Sequence, residues 1–428
     1  MHNLSFFFLF CLTFKIATAH ASDIFFSINQ ELQSFYLAPQ NSSEYFGRTE
    51  LLTKGELELF DNLKFKLETS LSDTFMKKKD QKSFLFNPSQ LGLHYSPKNF
   101  EVFLGGFTLA GEGADLNNIF DVVNAQDYRQ PFNSKAIGAP GIVLTIPSAS
   151  FTVKAFFIPK NERSRLPDTQ SPWWPRTDAL PVRDAAGTFL APDNMSYKIA
   201  SESEENKPFE NNFGASAKYS FSSFDLSLFY YSGANQLPKI SPNFNFNVIS
   251  IDPLIAVIQP PVELNLIWYR SEHLGGGATF LIQDWIVKGF YKQQRNLLPE
   301  VEKISAGTIS VENSLAVSRF SLRYFLQINR AWRQASTVKE IETLSGFFEK
   351  STAIGFYLDM NALGTLSGAA IYNEKDPSVL VSMGHEYKWT DRFKTKLSAN
   401  ILSTSGSNAL AAAYDKTDNL SLTLNYDF

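Results

Sequence analysis

The sequence holds a single cysteine, Cys11, and it lies inside an apolar leader. A chain that loses that leader has no thiol for a disulfide or a thiolate metal site. Histidine is almost as scarce: beyond the leader only His94, His273 and His385 remain, far apart in sequence. No nucleophile elbow, H-E-x-x-H helix or glycine-rich phosphate loop is present, so nothing points to an enzyme or calls for a cofactor. Charged residues make up 19 % of the chain and the net charge is -4, against about 25 % charged in soluble domains. Low charge of balanced sign argues against disorder and against a nucleic-acid partner. Beyond the leader there is no apolar run of about 20 residues, so no helix spans a membrane. What is present is aromatic: 39 Phe and 16 Tyr, spread through short apolar pieces.

Residues Phe6 to Phe14 form an apolar run followed by Ala19-His20-Ala21, an A-x-A cleavage pattern. The segment is too short for a span and predicts a signal peptide over 1–21, with the mature chain exported. Phe8-Leu9-Phe10 before Cys11 is not the small-residue box of a lipidated cysteine.

Beyond the leader the apolar period is two. Leu420, Leu422, Leu424, Tyr426 and Phe428 alternate with Ser421, Thr423, Asn425 and Asp427. Residues 63–71, 262–268, 320–329 and 393–401 alternate in the same way, each a strand with one apolar and one polar face. A soluble sandwich and a transmembrane barrel both fit that pattern. Strands of about 9–13 residues, aromatics at strand ends (Tyr387, Trp389) and a terminal aromatic favour the barrel. Tight connections at Asp61-Asn62, Pro97-Lys98-Asn99, Ser148-Ala149, Ser222-Ser223, Gln283-Asp284, Ser318-Arg319, Leu363-Gly364 and Thr390-Asp391 alternate with longer links. The expectation is an all-β, transmembrane antiparallel β-barrel over 22–428, with both ends on the short-turn side and long loops at 109–139 and 160–210. Counting gives about 20 strands, with 16 or 18 open because Pro253, Pro260 and Pro261 interrupt 244–260.

The leader, the alternation and the final Asn-Leu-Ser-Leu-Thr-Leu-Asn-Tyr-Asp-Phe resemble Gram-negative outer-membrane β-barrels. That resemblance implies residence in the outer membrane among lipid and lipopolysaccharide, with Tyr426 and Phe428 as the signal read by the barrel-assembly machinery. Over residues 100–175, Gly105-Gly106, Gly111-Glu112-Gly113, Asn117-Asn118 and Asp121-Val122-Val123-Asn124 resemble a segment of uncharacterised porin-like barrels. This second resemblance implies passive or substrate-selective transport of small solutes.

Long loops are the expected seat of function. Loop 109–139 carries Glu112, Asp115, Asp121, Asp127, Arg129 and Lys135 beside Ile119, Phe120, Val122 and Val123. It reads either as a constriction loop folded into the lumen, its charges setting a field, or as a solvated outer loop. Trp173 and Trp174 in loop 160–210 read either as a sugar- or lipopolysaccharide-stacking pair or as packing of a lid on the rim. The Ser201–Glu205 stretch that follows reads as polar and mobile, and Gly275-Gly276-Gly277 as a tight turn or rim feature. On the strands, Lys64, Lys66, Arg323, Lys394 and Lys396 belong on the lumen face, since Lys or Arg facing lipid at mid-depth costs about 2–4 kcal/mol. Glu56 and Glu58 pair with Lys64 and Lys66 across the Asp61-Asn62 turn. The functional expectation is a porin-like diffusion channel. The alternative is a non-conducting, loop-plugged barrel serving adhesion or envelope structure. A monomer and a trimer remain equally open.

Overall fold

The computed structural model describes residues 24–35, 44–75, 84–109, 118–168, 171–174, 188–190, 196–252, 254–298, 301, 303–317, 319–333, 349–374, 377–404, 414 and 417–428. The leader, including its expected cleavage site, lies outside them.

Alternation becomes wall. The chain starts with β1 (Phe25–Phe35), β2 (Tyr45–Phe60), β3 (Leu63–Phe75), β4 (Leu85–Tyr95) and the short β5 (Glu101–Phe107). A long connection then holds the paired pieces β6 (Ala125–Asp127) and β7 (Lys135–Ile137). β8 (Ala139–Pro147) and β9 (Phe151–Lys160) resume the wall. The next connection carries β10 (Thr188–Leu190) and β11 (Tyr197–Glu204) before β12 (Glu210–Ser220) and β13 (Phe224–Ala234). A hairpin of β14 (Lys239–Ile251) and β15 (Leu254–Trp268) follows. The remaining strands are β16 (Arg270–Ile282), β17 (Trp285–Asn296), β18 (Ile304–Val317), β19 (Phe320–Arg333), β20 (Lys350–Asp359), β21 (Thr365–Asn373), β22 (Ser378–Lys388), β23 (Phe393–Thr404) and β24 (Asn419–Asp427).

Eighteen of these form one antiparallel sheet, and β1 pairs with β24 from Ser27↔Asp427 to Phe35↔Asn419, closing it on itself. Closure removes the free edges that an open sheet would expose. The wall is therefore an 18-stranded barrel rather than one of about 20 strands. The two surplus strands are β14 and β15: β13 pairs directly with β16, from Phe224↔Phe280 to Ala234↔Arg270, and closes the wall without them. Pro242, Pro260 and Pro261 lack the amide hydrogens a central wall strand would need. The alternation at 262–268 belongs instead to a separate sheet of β10, β15 and β11, with β14 on the other edge of β15. Residues 201–204, expected to be mobile, are part of β11 and pair in parallel with 265–268.

The tight connections fall on one rim where the described residues cover them, together with the start of β1 and the end of β24. Asn62 and Gln283 take positive φ values of 65° and 56° there, the left-handed geometry that two-residue hairpin turns require. The outer face is apolar, with Leu228, Leu274, Ile309, Ile354 and Ile401 exposed. Aromatic pairs ring the short-turn rim: Tyr387–Trp389 at 4.7 Å, Phe221–Phe224 at 4.2 Å and Tyr426–Phe428 at 4.9 Å between centroids. An apolar band with aromatic girdles is what a bilayer imposes on a barrel. Leu422→Arg on this band is expected to cost about 2–4 kcal/mol of stability, whereas Ser421→Arg on the lumen face costs far less. Urea titration of the heat-modifiable folded form checks the pair.

Candidate functional site

The connection between β5 and β8 folds into the barrel, and the sequence shows where it leaves the wall. β5 ends after seven residues, next to a row of side-chain-free positions in which Gly92, Gly105 and Gly141 are register neighbours. A Cβ on Gly105 would stand 2.1 Å from the Leu91 carbonyl oxygen, and its φ of +149° disfavours any other residue. Two asparagines fix the departure. Asn124 brackets Leu109, accepting from its amide at 3.1 Å and donating to its carbonyl at 2.6 Å. Asn87 of β4 donates to the Ala136 carbonyl and accepts from the Gly138 amide, both at 2.8 Å.

From there the segment lies as a shelf inside the barrel, with described contacts at both ends. At one end Phe120 enters a socket of Phe229 and Phe290, at centroid distances of 5.4 and 5.8 Å, over Gly275. A Cβ at Gly275 would lie 2.5 Å from the Phe120 ring. Gly275-Gly276-Gly277 is thus no turn: it lies mid-strand in β16, where a bare backbone leaves room for the shelf. Ile119, Val122 and Val123 are buried in the same cluster with Phe107, Phe156 and Tyr231. Gln236, just after β13, donates to the carbonyls of Asp121 and Asn124 at 2.8 and 2.9 Å.

At the other end the shelf is tied to β1, β2 and β3 by charge. Arg129 donates to both Asp127 oxygens at 2.7 and 2.8 Å, and to Ser72 and Thr74 of β3 at 3.3 Å each. Arg48 of β2 lies 3.5 Å from Asp127 and 3.3 Å from Glu50. Lys135 reaches Glu50 at 2.6 Å, and Gln130 donates to Glu31 of β1 at 3.1 Å. Asp127 is 1 % exposed. Burial pushes its pKa up, but the hydrogen bonds and charge of Arg129, with the charge of Arg48, outweigh it and hold the carboxyl below its ordinary range. Burial raises Asp121 above its ordinary value, only partly offset by Gln126 and the Lys292 charge.

These opposed shifts predict which end yields to acid. The stabilisation from Asp127 is complete above the ordinary carboxylate range and is lost as pH falls through the depressed folded value. Asp121, with a raised folded pKa, works the other way and favours docking when protonated. Acid is therefore expected to free the β1–β3 end while the Phe120 socket holds. The check is limited proteolysis of the folded barrel across an acid titration, with the acid-induced step abolished in Asp127→Asn.

The second long connection runs beside the shelf. Arg165 forms a parallel bridge with Asp127, donating to the Gln126 carbonyl at 2.8 Å, and Asn161 donates to the Val123 carbonyl at 3.0 Å. Trp173 is buried against Phe35 and Phe46 of β1 and β2; it stands edge-on to Phe35 at 5.5 Å and donates to Gln33 at 3.2 Å. Trp174 is buried with Tyr197, Ile258, Val262 and Leu264. The tryptophan pair therefore ties the β10–β11–β14–β15 sheet to the opposite side of the long-loop rim.

The expected site residues divide accordingly. Asp121, Asp127, Arg129 and Lys135 come together on the shelf, while Glu112 and Asp115 lie outside the described residues. Lys64 and Lys66 are on the lumen face of β3, where Lys64 pairs with Glu56 and Glu58. Arg323 is on the lumen face of β19 and binds Glu312 of β18, which also takes Lys288 of β17 at 2.7 Å. Lys394 and Lys396, on the lumen face of β23, line a cavity of about 320 Å³ between the shelf edge at Asn133 and Lys135 and the wall of β22, β23, β24, β1 and β2. Arg48, Glu50, Asn87 and Gln236 escaped the sequence reading. Arg48 and Glu50 carried a usable signal, two charges on the polar face of an alternating strand; Asn87 and Gln236 carried none.

His94 lies 3.4 Å from Glu101, and His385 approaches the Leu363 carbonyl. Buried His273 meets buried Ser271 at 2.8 Å, and its Nδ1 has no hydrogen-bond partner among the described residues.

No protein-family model and no curated protein matches the sequence. Among solved structures, OccAB4 of Acinetobacter baumannii superposes with a TM-score of 0.50 at 9 % identity, covering 96 % of this chain and 99 % of that one. The chain shares the closed antiparallel β-barrel fold of that structure. Two further similar barrels are OpdO of Pseudomonas aeruginosa (TM-score 0.48, 11 % identity, 95 % and 97 % covered) and OccK8 (OprE) of the same organism (0.48, 10 %, 95 % and 98 %). At such identities the likeness is one of fold.

Proposed function

We propose that this barrel is a passive channel for small polar solutes, narrowed by the shelf between β5 and β8. The observation that carries this reading is the double docking of the shelf. With one end on β1–β3 and the other on β13, β16 and β17, it spans part of the lumen and leaves a cavity against β22–β24, β1 and β2. Most lumen charges that flank it are paired: Arg48 and Lys135 with Glu50, Lys288 and Arg323 with Glu312, Lys64 with Glu56 and Glu58. Paired charges wet a pore without giving it a strong net field, so ion selectivity is weak. The path performs no chemistry and uses no cofactor. Residues 1–21 act as the export leader, and Tyr426 and Phe428 as the signal read during barrel assembly. Outer-membrane lipid and lipopolysaccharide surround the folded chain.

A second reading, a closed barrel acting through its outer surface, draws support from the tryptophan-anchored sheet at the long-loop rim. Swelling of proteoliposomes in sugars of graded size separates the two. The channel reading expects swelling that falls steeply with solute size. No swelling with correctly folded protein supports the closed barrel.

A further inference from the structure

Two lysines in the cavity stand out because they are not neutralised. Lys394 and Lys396 have no ion-pair or hydrogen-bond partner among the described residues, unlike Arg48, Lys64, Lys135, Lys288 and Arg323. Across the cavity, Glu31 accepts hydrogen bonds from the amides of Gln33 at 3.0 Å and Gln130 at 3.1 Å, while Arg48, its register neighbour on β2, turns to Glu50 and Asp127. The register sets their separation. Lys396 pairs with Thr423, and Thr423 with Glu31, so the two charged residues stand in one row with a single strand between them. Two inter-strand steps span roughly 10 Å. On β24 the cavity is lined by Ser421, Thr423 and Asn425, with the carboxylate of Asp427 at the end of the strip. One row over, Lys394 faces Asn425 and then Asn29. Glu386 is the cross-strand neighbour of Lys396 on the far side but makes no ion pair with it.

We propose that this cavity is a binding subsite for small zwitterions of amino-acid to dipeptide size. Lys394 and Lys396 receive the carboxylate, Glu31 receives the ammonium, and the hydroxyl and amide strip of β24 bonds the polar groups between. Two opposite charges too far apart to pair are each without a counter-ion, and a solute with both charges on one short frame bridges them together. A solute with one charge satisfies only one end and leaves the other charge unbridged, which sets the preference. The volume agrees: 320 Å³ is about ten times the roughly 30 Å³ share of one liquid water. The proposal rests on the channel reading, since the subsite must be reached through the lumen.

The test is partial block of single-channel current by three probes at neutral pH: glycylglycine, its acetylated anion acetylglycylglycine, and its cationic amide glycylglycinamide. The expected result is concentration-dependent block by glycylglycine at least about tenfold more potent than by either singly charged analogue. In Lys394→Gln/Lys396→Gln and in Glu31→Gln that preference falls to near parity while the open-channel steps persist. Equal block by all three probes, or a preference that survives in both variants, overturns the subsite and leaves the channel standing. Absence of current from folded wild-type protein overturns the channel reading and this proposal with it.

Discussion

Replacing residues 110–136 by a short Gly–Ser linker raises single-channel conductance several-fold. The shelf is docked on the lumen side of the wall at both ends, by the Phe120 socket and by the Asp127–Arg129–Arg48 cluster. Its removal therefore widens the path that it narrows. The wall itself survives the replacement. β5 and β8 keep their own register, from Glu101↔Thr145 to Phe107↔Ala139, and need the connection only for length. Buried apolar contacts of Ile119, Phe120, Val122 and Val123 are lost, so the shortened barrel is also expected to melt earlier. Conductance that stays at the wild-type value would place the narrowest point elsewhere. The sheet held by Trp173 and Trp174 is then the obstacle, and Trp173→Ala, which empties the Phe35–Phe46 pocket, becomes the variant that opens the path.

Gly105→Val abolishes folding into the heat-modifiable form. The new Cβ would stand 2.1 Å from the Leu91 carbonyl oxygen and 2.7 Å from the Gly92 Cα, both backbone, and the φ of +149° is one a β-branched residue does not adopt. Neither contact can be relieved by turning a side chain, so strand pairing between β4 and β5 must give way. The cost expected is above about 3 kcal/mol, the sum of backbone strain and lost pairing. Gly289→Val is the matched control. Nothing lies within 4 Å of a Cβ there, and its strand neighbours are Ala278 and Ile309. That variant is expected to fold in normal yield. Gel mobility of unheated and boiled samples reads both outcomes; equal folding of the two would contradict the close strand approach at Gly105.

Much of this architecture was legible in the amino-acid order, because a membrane barrel writes its constraints locally. Lipid on one side and water on the other force a period of two, visible from Leu420 to Phe428 without any knowledge of neighbours. Hairpin turns are local too, which is why Asp61-Asn62 and Gln283-Asp284 could be placed from sequence. Period two does not, however, say what lies against each face. Val262 to Trp268 alternates like a wall strand, yet it packs against Trp174 and Tyr197 in a separate sheet. Gly275-Gly276-Gly277 looked like a turn because its reason for being small, the Phe120 ring, comes from 155 positions earlier in the chain. The shelf shows the same limit. Its apolar residues and charges hinted at inward folding, but Ser72, Thr74, Arg48 and Glu50, which hold it, are reached only through the closed topology.

The proposed function turns on an open path past the docked shelf. Reconstitution of the folded protein in a planar bilayer, with a salt gradient across it, tests this most directly. Discrete conductance steps are expected, with a reversal potential close to zero, because most lumen charges are paired. Folded protein that inserts and carries no current would contradict it.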